Sequence, residues 1–202
     1  MNVVLLLSGG TDSVTLLYRF LQGKRRRIHA LAFDYGQTHQ AELRAARHHC
    51  ARAGVPITIC EMPTELFRGS ALTGSDIEPK GEATIVPNRN AVFIMAAAAL
   101  AMQIGYTAVA IGCNRDDAET YPDCRPQFIE AMQEAIRLAS GGKINLFAPF
   151  LDVPKTYIVT ELKQYGVDVE STVSCYRGEV PGCGCCGACI ARDRAISYAS
   201  QW

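Results

Sequence analysis

Short apolar runs alternate along this chain with stretches whose apolar residues recur every three or four positions. "VVLLL" at residues 3–7 is a continuous apolar run of strand length, and "TDSVTLLYRFLQG" behind it carries Val14, Leu17 and Leu21 at helical spacing before Gly23 stops it. "IHALAFDYG" repeats the strand signal, "HQAELRAARHHCARAG" is an Ala-rich helix closed by Gly54, and "PITICEM" is a third strand. "AVAIGC" is the fourth. "RPQFIEAMQEAIRLASGG" and "VPKTYIVTELKQYG" each place a proline in the first turn and a glycine past the end, which marks two further helices. Strand–helix alternation over residues 1–166 predicts an α/β domain with a doubly wound parallel sheet and helices on both faces, leaving residues 167–202 as a small C-terminal segment packed on it.

Two stretches stand apart from this rhythm. Between residues 63 and 86 the periodicity fades into Gly, Pro, Ser and Thr, the composition of a mobile loop, and a lid that orders over a substrate is expected there. "NAVFIMAAAALAMQIG" is a helix apolar on nearly every face, so it belongs in the core or at a subunit interface. One sheet in a chain this size does not cover all of that helix, and a homodimer is expected.

The chain has 202 residues, 49% of them apolar, enough for one main domain. Its 20 Lys and Arg balance its 20 Asp and Glu, so no whole-chain field favours a nucleic acid or a membrane surface. The run Lys24 to Arg27 reads as a solvated basic face at a helix end. His39, His48 and His49 read as solvated positions on a polar helix. The longest apolar stretch, about a dozen residues, is short for a bilayer span, and a cytoplasmic protein is expected.

Nine cysteines is a high count, and five of them fall between residues 175 and 189. A disulfide framework would spread them out, so the clustering points to metal in a reducing compartment. Cys183, Cys186 and Cys189 form C-x2-C-x2-C, and Cys175 supplies a fourth thiolate across a Gly- and Pro-containing loop. Four thiolates close a tetrahedral structural zinc site, with iron–sulfur ligation as the chemical rival. Cys185 is spare.

"SGGTDS", residues 8–13, sits where the first strand meets the first helix. In parallel sheets ligands bind at the carboxyl ends of strands. Gly9 and Gly10 let backbone approach a ligand, and the amides opening the helix favour an anion, helped by the hydroxyls of Ser8, Thr11 and Ser13. A phosphate is the natural occupant. The loop lacks the Walker lysine and its two glycines are adjacent, which excludes the two commonest nucleotide fingerprints. Lys155 opens a helix, where a cation opposes the dipole, and that placement suits a phosphate contact.

"SGGTDS" resembles the pyrophosphate loop of the N-type ATP pyrophosphatases. "FDYGQTHQAEL", "VPNRNAVF", "YPDCRPQF" and "CYRGEVPGCGCCGAC" follow it in the order found in one branch, the 7-cyano-7-deazaguanine synthase (QueC) family. The segment "GCNRDDAET" departs from that pattern. The resemblance implies an adenine nucleotide alpha hydrolase-like, Rossmann-like fold. It also implies an ATP-dependent ligase that turns 7-carboxy-7-deazaguanine and ammonia into the nitrile through two adenylations. Zinc is the metal it implies for the four cysteines, and ATP contacts fall to residues 7–13 (Leu7, Ser8, Gly9, Gly10, Thr11, Asp12, Ser13) with Phe33 and Arg89. Substrate contacts fall to Arg89, Asn90, Tyr121, Asp123 and Arg125. Asp12 is assigned to organise Mg²⁺ and Lys155 to neutralise phosphate charge. An enzyme that stops at the amide or conjugates the activated base to a macromolecule, a tRNA thiolase using Cys113, Cys124 or Cys185, and a non-enzymatic zinc-and-nucleotide module are the alternatives.

Overall fold

A computed structural model describes residues 1–23, 27–38, 40–74 and 78–199. Lys24 to Arg26 of the basic run, His39, and three residues of the 63–86 stretch lie outside the described set.

Among the described residues five parallel strands form one sheet in the order β3-β2-β1-β4-β5: β1 Asn2–Leu6, β2 Arg27–Asp34, β3 Ile57–Glu61, β4 Ala108–Ala110 and β5 Asn145–Phe147. β1 is central, with Leu5 in register with Ala30 on one side and Ala110 on the other. Its successive side chains serve opposite cores. Val3, Leu5 and Leu7 pack with helices α1 (Thr11–Leu21), α2 (Ala41–Ala53) and α6 (Lys155–Gln164), while Val4 and Leu6 pack with α3 (Arg89–Gln103) and α5 (Pro126–Ala139). Burial on both faces is why β1 reads as an unbroken apolar run. Chain order reverses on either side of β1, which places the crevice of the fold at the carboxyl ends of β1 and β4.

The edges of the sheet differ from the sequence expectation. β4 stops at Ala110, shorter than the "AVAIGC" run. β5 carries too little pattern to be read, because Asn145 and Phe147 are exposed and only Leu146 is buried. A single turn, α4 (Asp117–Thr120), forms in a segment with no apolar periodicity. α3 is apolar all round as read, yet it buries only one face, through Asn90, Ile94, Ala97, Ala98 and Ala101, and leaves Met95 and Met102 40% and 46% exposed. An 18-residue window within Gly81–Gln103 reaches a mean hydropathy of 1.4. The helix itself has 15 residues, a rise of about 22 Å against about 30 Å of bilayer hydrocarbon.

His49 corrects the solvated reading, since it is fully buried. It falls on the Ala45, Ala46, Cys50 stripe that α2 turns inward. Its ring is 3.1 Å from the Ser171 carbonyl at Nε2 and 3.4 Å from the Tyr18 hydroxyl at Nδ1, so a neutral imidazole with a proton on Nε2 satisfies both partners. Burial accordingly holds its pKa below the ordinary value. His48, one position earlier, is exposed.

The 63–86 stretch is better anchored than its composition suggests. Ala71 N–H donates to the Ala83 carbonyl at 2.8 Å, and Phe67, Leu72 and Val86 join the α3 core. At the other end of the chain, α7 (Gly187–Ala199) lays Ala195 and Ala199 into the core shared by α1 and α6.

One backbone contact fixes the first loop. Gly9 has φ +96°, and a Cβ there would stand 2.1 Å from the Glu42 carbonyl oxygen of α2, whereas a Cβ on Gly10 meets nothing closer than 3.3 Å. Gly9→Ala is therefore expected to lower the unfolding free energy by about 3 kcal/mol or more, strain and overpacking together. Gly10→Ala should cost markedly less, since only Ser8 Oγ at 3.3 Å and the Val173 carbonyl at 3.4 Å must give way. Urea titration of the two variants checks this, and equal stabilities would contradict the packing described.

Candidate active site and metal centre

The turn after β1 is held by its own hydroxyls. Gly9 N–H donates to Ser13 Oγ at 3.2 Å, Ser13 Oγ donates to the Gly10 carbonyl at 3.0 Å, and Gly10 N–H donates to Ser8 Oγ at 3.2 Å. This rigid turn leaves the first amides of α1 to face outward at the positive end of an 11-residue helix. Thr11 Oγ1 ties the turn to the chain's last third, lying 3.0 Å from Thr172 Oγ1 and 3.1 Å from Ser174 Oγ. Val173 N–H donates to the Gly9 carbonyl at 3.0 Å.

Asp12 and Lys155 meet across the crevice. Lys155 Nζ stands 2.5 Å from Asp12 Oδ2, with about a sixth of each side chain exposed. Burial works against the Lys155 charge, but Asp12 and Asp117 outweigh it and hold the ammonium's pKa above its ordinary value. Asp12 Oδ1 is buried and meets no donor among the described residues. An orphaned carboxylate oxygen beside anion-ready amides fits a divalent cation.

The segment behind β4 adds acids that sequence reasoning missed. Asn114, fully buried, accepts from the N–H groups of Asp116 and Asp117 at 2.8 and 3.0 Å and donates to Asp117 Oδ2 at 2.8 Å. Asp116 Oδ2 accepts from Lys155 N–H at 3.0 Å, which anchors the start of α6. Burial and the nearby Asp12 push the Asp117 carboxyl up to about 6. The signal was present as "NRDD", an Asn two and three residues ahead of two acids, the spacing of a side-chain cap.

These groups line one cavity of about 460 Å³, a size suited to a small-molecule site. Leu7, Ser8, Gly10, Asp12, Phe33, Arg89, Asn90, Tyr121 and Lys155 all reach it. Phe33 stacks flat on Phe93, centroids 3.9 Å apart and planes within 4°. Arg89 Nη1 donates to the Tyr35 hydroxyl at 3.0 Å, and its guanidinium carbon lies 5.8 Å from that ring's centroid. Asn90 points its side-chain amide at the Asp123 carbonyl, 3.2 Å away, and at the Cys124 sulfur, 3.3 Å away. Asp123 and Arg125 stand apart from the cavity lining. Asp123 Oδ2 accepts from Asn90 N–H at 3.0 Å, and the exposed Arg125 donates from Nε to the Ala118 carbonyl at 3.2 Å. Tyr176, which sequence reasoning passed over, also lines the cavity.

Beside this wall the four cysteine sulfurs of Cys175, Cys183, Cys186 and Cys189 lie within 4.8 Å of one another, and Cys183 and Cys189 are 3.9 Å apart. A tetrahedron with metal–sulfur bonds of about 2.3 Å has edges of about 3.8 Å, so the quartet fits a single ion. Cys185 is exposed and outside it. Backbone N–H groups of Cys185 and Cys186 pull the Cys183 thiol down to about 6, toward the thiolate a metal requires. The loop is braced by Arg192, 8% exposed, which donates from Nη1 to the Pro181 carbonyl and pairs with Asp193 at 2.8 Å.

Comparison with known proteins places this geometry. The chain matches the family model described as "Queuosine biosynthesis protein QueC" over residues 2–200. It is 38% identical over 206 aligned positions to the 7-cyano-7-deazaguanine synthase of Marinobacter nauticus, spanning 97% of this chain and 92% of that one. It is 39% identical over 210 positions to the enzyme of the same name from Rhizobium johnstonii, spanning 98% and 89%. Solved structures with a similar fold include the U34-tRNA thiolase NcsA of Methanococcus maripaludis with its 4Fe-4S cluster (TM-score 0.54, 14% identity, 100% of this chain and 71% of that one). The NH3-dependent NAD synthetase of Campylobacter jejuni is another (TM-score 0.52, 18% identity, 82% and 64%). Those two share the fold alone. The sequence relatives, aligned over nearly their whole length, and the family model together show that this chain belongs to the QueC family.

Proposed function

We propose that this protein is a 7-cyano-7-deazaguanine synthase, an ATP-dependent ligase that converts 7-carboxy-7-deazaguanine and ammonia to the nitrile. The observation that carries this reading is the Asp12–Lys155 contact at the mouth of the Ser8 to Ser13 loop, inside a chain of this family.

The chemistry follows from charge. A carboxylate approaching a triphosphate is repelled, so phosphate charge must be neutralised and the reactants held in line. The first amides of α1 and the loop hydroxyls receive the leaving pyrophosphate, with Lys155 beside them. Mg²⁺ held at Asp12 would supply further charge neutralisation. Phe33 and Leu7 offer the apolar surface for adenine, while Arg89 and Asn90 face the base and Tyr121 stands in the wall behind it. Asp123 and Arg125 serve by holding the segments that carry Asn90 and Tyr121.

The substrate carboxylate attacks the α-phosphate and pyrophosphate departs, giving an acyl adenylate. Ammonia adds to the acyl carbon, AMP leaves and a proton is lost, giving the amide. The amide oxygen then attacks a second ATP, again with loss of pyrophosphate and a proton. Departure of AMP with the last N–H proton leaves the C≡N bond. Two ATP are consumed per nitrile.

Purified protein incubated with ATP, Mg²⁺, ammonium and 7-carboxy-7-deazaguanine should yield the nitrile by mass spectrometry. Asp12→Ala should lower AMP release by at least a hundredfold with its circular dichroism spectrum unchanged. A product that stays at the amide, or a variant with undiminished turnover, would contradict the reading.

Zinc at the cysteine quartet is read as structural, because all four ligands come from protein and no position is left open for substrate. A cytoplasmic location follows from the need to keep those thiols reduced. The exposed Met95, Ala99 and Met102, one stripe along α3, supply an apolar face for a homodimer. Native mass spectrometry reads both at once: a dimer of 22.0 kDa chains carrying one zinc each is expected. A monomer would remove the dimer, and iron with sulfide in place of zinc would remove the metal assignment.

A further inference from the structure

Three hydroxyls in series cross one wall of the cavity. Thr84 Oγ1 donates to the Gly81 carbonyl at 2.7 Å, the Tyr121 hydroxyl lies 2.8 Å from Thr84 Oγ1, and the Tyr176 hydroxyl lies 2.8 Å from that of Tyr121. Each hydroxyl has one proton to give and lone pairs to accept with. A carbonyl cannot donate, so Thr84 spends its proton on Gly81. Tyr121 must then donate to Thr84, and Tyr176 to Tyr121, for all three contacts to be hydrogen bonds at once. The chain therefore has a direction. At its open end the Tyr176 oxygen has committed its proton and retains only lone pairs, and the residue lines the same cavity as Thr84 and Tyr121.

The three residues come from separate parts of the chain: the β3–α3 connection, the turn before α5, and the position next to Cys175. Tyr121 and Tyr176 both pack against the α3 core. Phenylalanine would fill that space equally well, so the hydroxyls need another reason to be there.

We infer that Tyr176 is a specificity-determining residue, an obligate hydrogen-bond acceptor that selects a ring presenting N–H toward it. This rests on the proposed function and deepens it. A 7-deazaguanine offers a ring amide N–H, an exocyclic amino group and a pyrrole N–H. A ring with a lone pair at the matching position would meet oxygen lone pairs there and be rejected.

The test is calorimetric titration of 7-carboxy-7-deazaguanine and, separately, of ATP into wild type, Tyr176→Phe, Tyr121→Phe and the double variant. Tyr176→Phe should bind the base three- to tenfold more weakly, the effect of one neutral hydrogen bond, with ATP affinity unchanged. Tyr121→Phe releases the Tyr176 proton and should weaken base binding by a smaller factor. The double variant should be no worse than Tyr176→Phe, because Tyr121 acts through Tyr176. Base affinity unchanged in Tyr176→Phe, equal loss for base and ATP, or additive losses in the double variant would each overturn the inference while leaving the ligase reading in place. Failure of the wild type to bind the base at all would overturn both.

Discussion

The site depends on a backbone contact that only glycine permits. Gly9 lies against the Glu42 carbonyl with no room for a Cβ, and its own carbonyl accepts from Val173 N–H. The loop that opens α1 is thus wedged between α2 and a segment more than 150 residues later in the chain. A loop wedged in this way has its amides oriented by the fold itself, as the proposed anion site requires. The same wedge ties the C-terminal part of the chain to this loop: Thr172, Val173 and Ser174 contact it directly, and Cys175, the first of the cysteine quartet, follows immediately.

Charge is the second constraint. Asp12 and Lys155 form a mostly buried pair in which one carboxylate oxygen has no donor among the described residues. A desolvated pair of this kind is weak evidence for stability, so its presence is better explained by what it does. The cavity wall carries Asp12, Glu42, Asp116 and Asp117 against Arg89 and Lys155, so its acids outnumber its cations. A site with surplus negative charge cannot accept a triphosphate without added cations, which is the condition a metal-bound nucleotide meets. Asn114 holds Asp116 and Asp117 in place, and Asp116 in turn anchors the lysine's helix.

How much of this was legible follows from the physics of each element. The strands of the sheet centre announced themselves because both faces are buried and the run is unbroken. β5 did not, since an edge strand of three residues with two exposed carries no pattern. The cysteine quartet and the Ser8 to Ser13 loop were legible because their chemistry is local in sequence. Asp117 and Tyr176 were not, because their surroundings come from partners brought by folding: Asp12 across the crevice, and Tyr121 as the next hydroxyl in a series that ends at Thr84. Asp123 and Arg125 were read as substrate contacts from a motif, whereas the first turn of α3 claims Asp123 and the Ala118 carbonyl claims Arg125. His49 was misjudged from the polarity of its neighbours, although its place on the Ala45–Cys50 stripe of α2 marked it as inward-facing.

The central claim is that substrate oxygen attacks the α-phosphate held at this loop, once as carboxylate and once as amide. Incubation of 7-carboxy-7-deazaguanine labelled with ¹⁸O in both carboxylate oxygens, followed by mass spectrometry of the nucleotides, tests it most directly. The account predicts two AMP per nitrile, each carrying one ¹⁸O, with unlabelled pyrophosphate. Label in orthophosphate with ADP as the nucleotide product, or AMP without label, would contradict it.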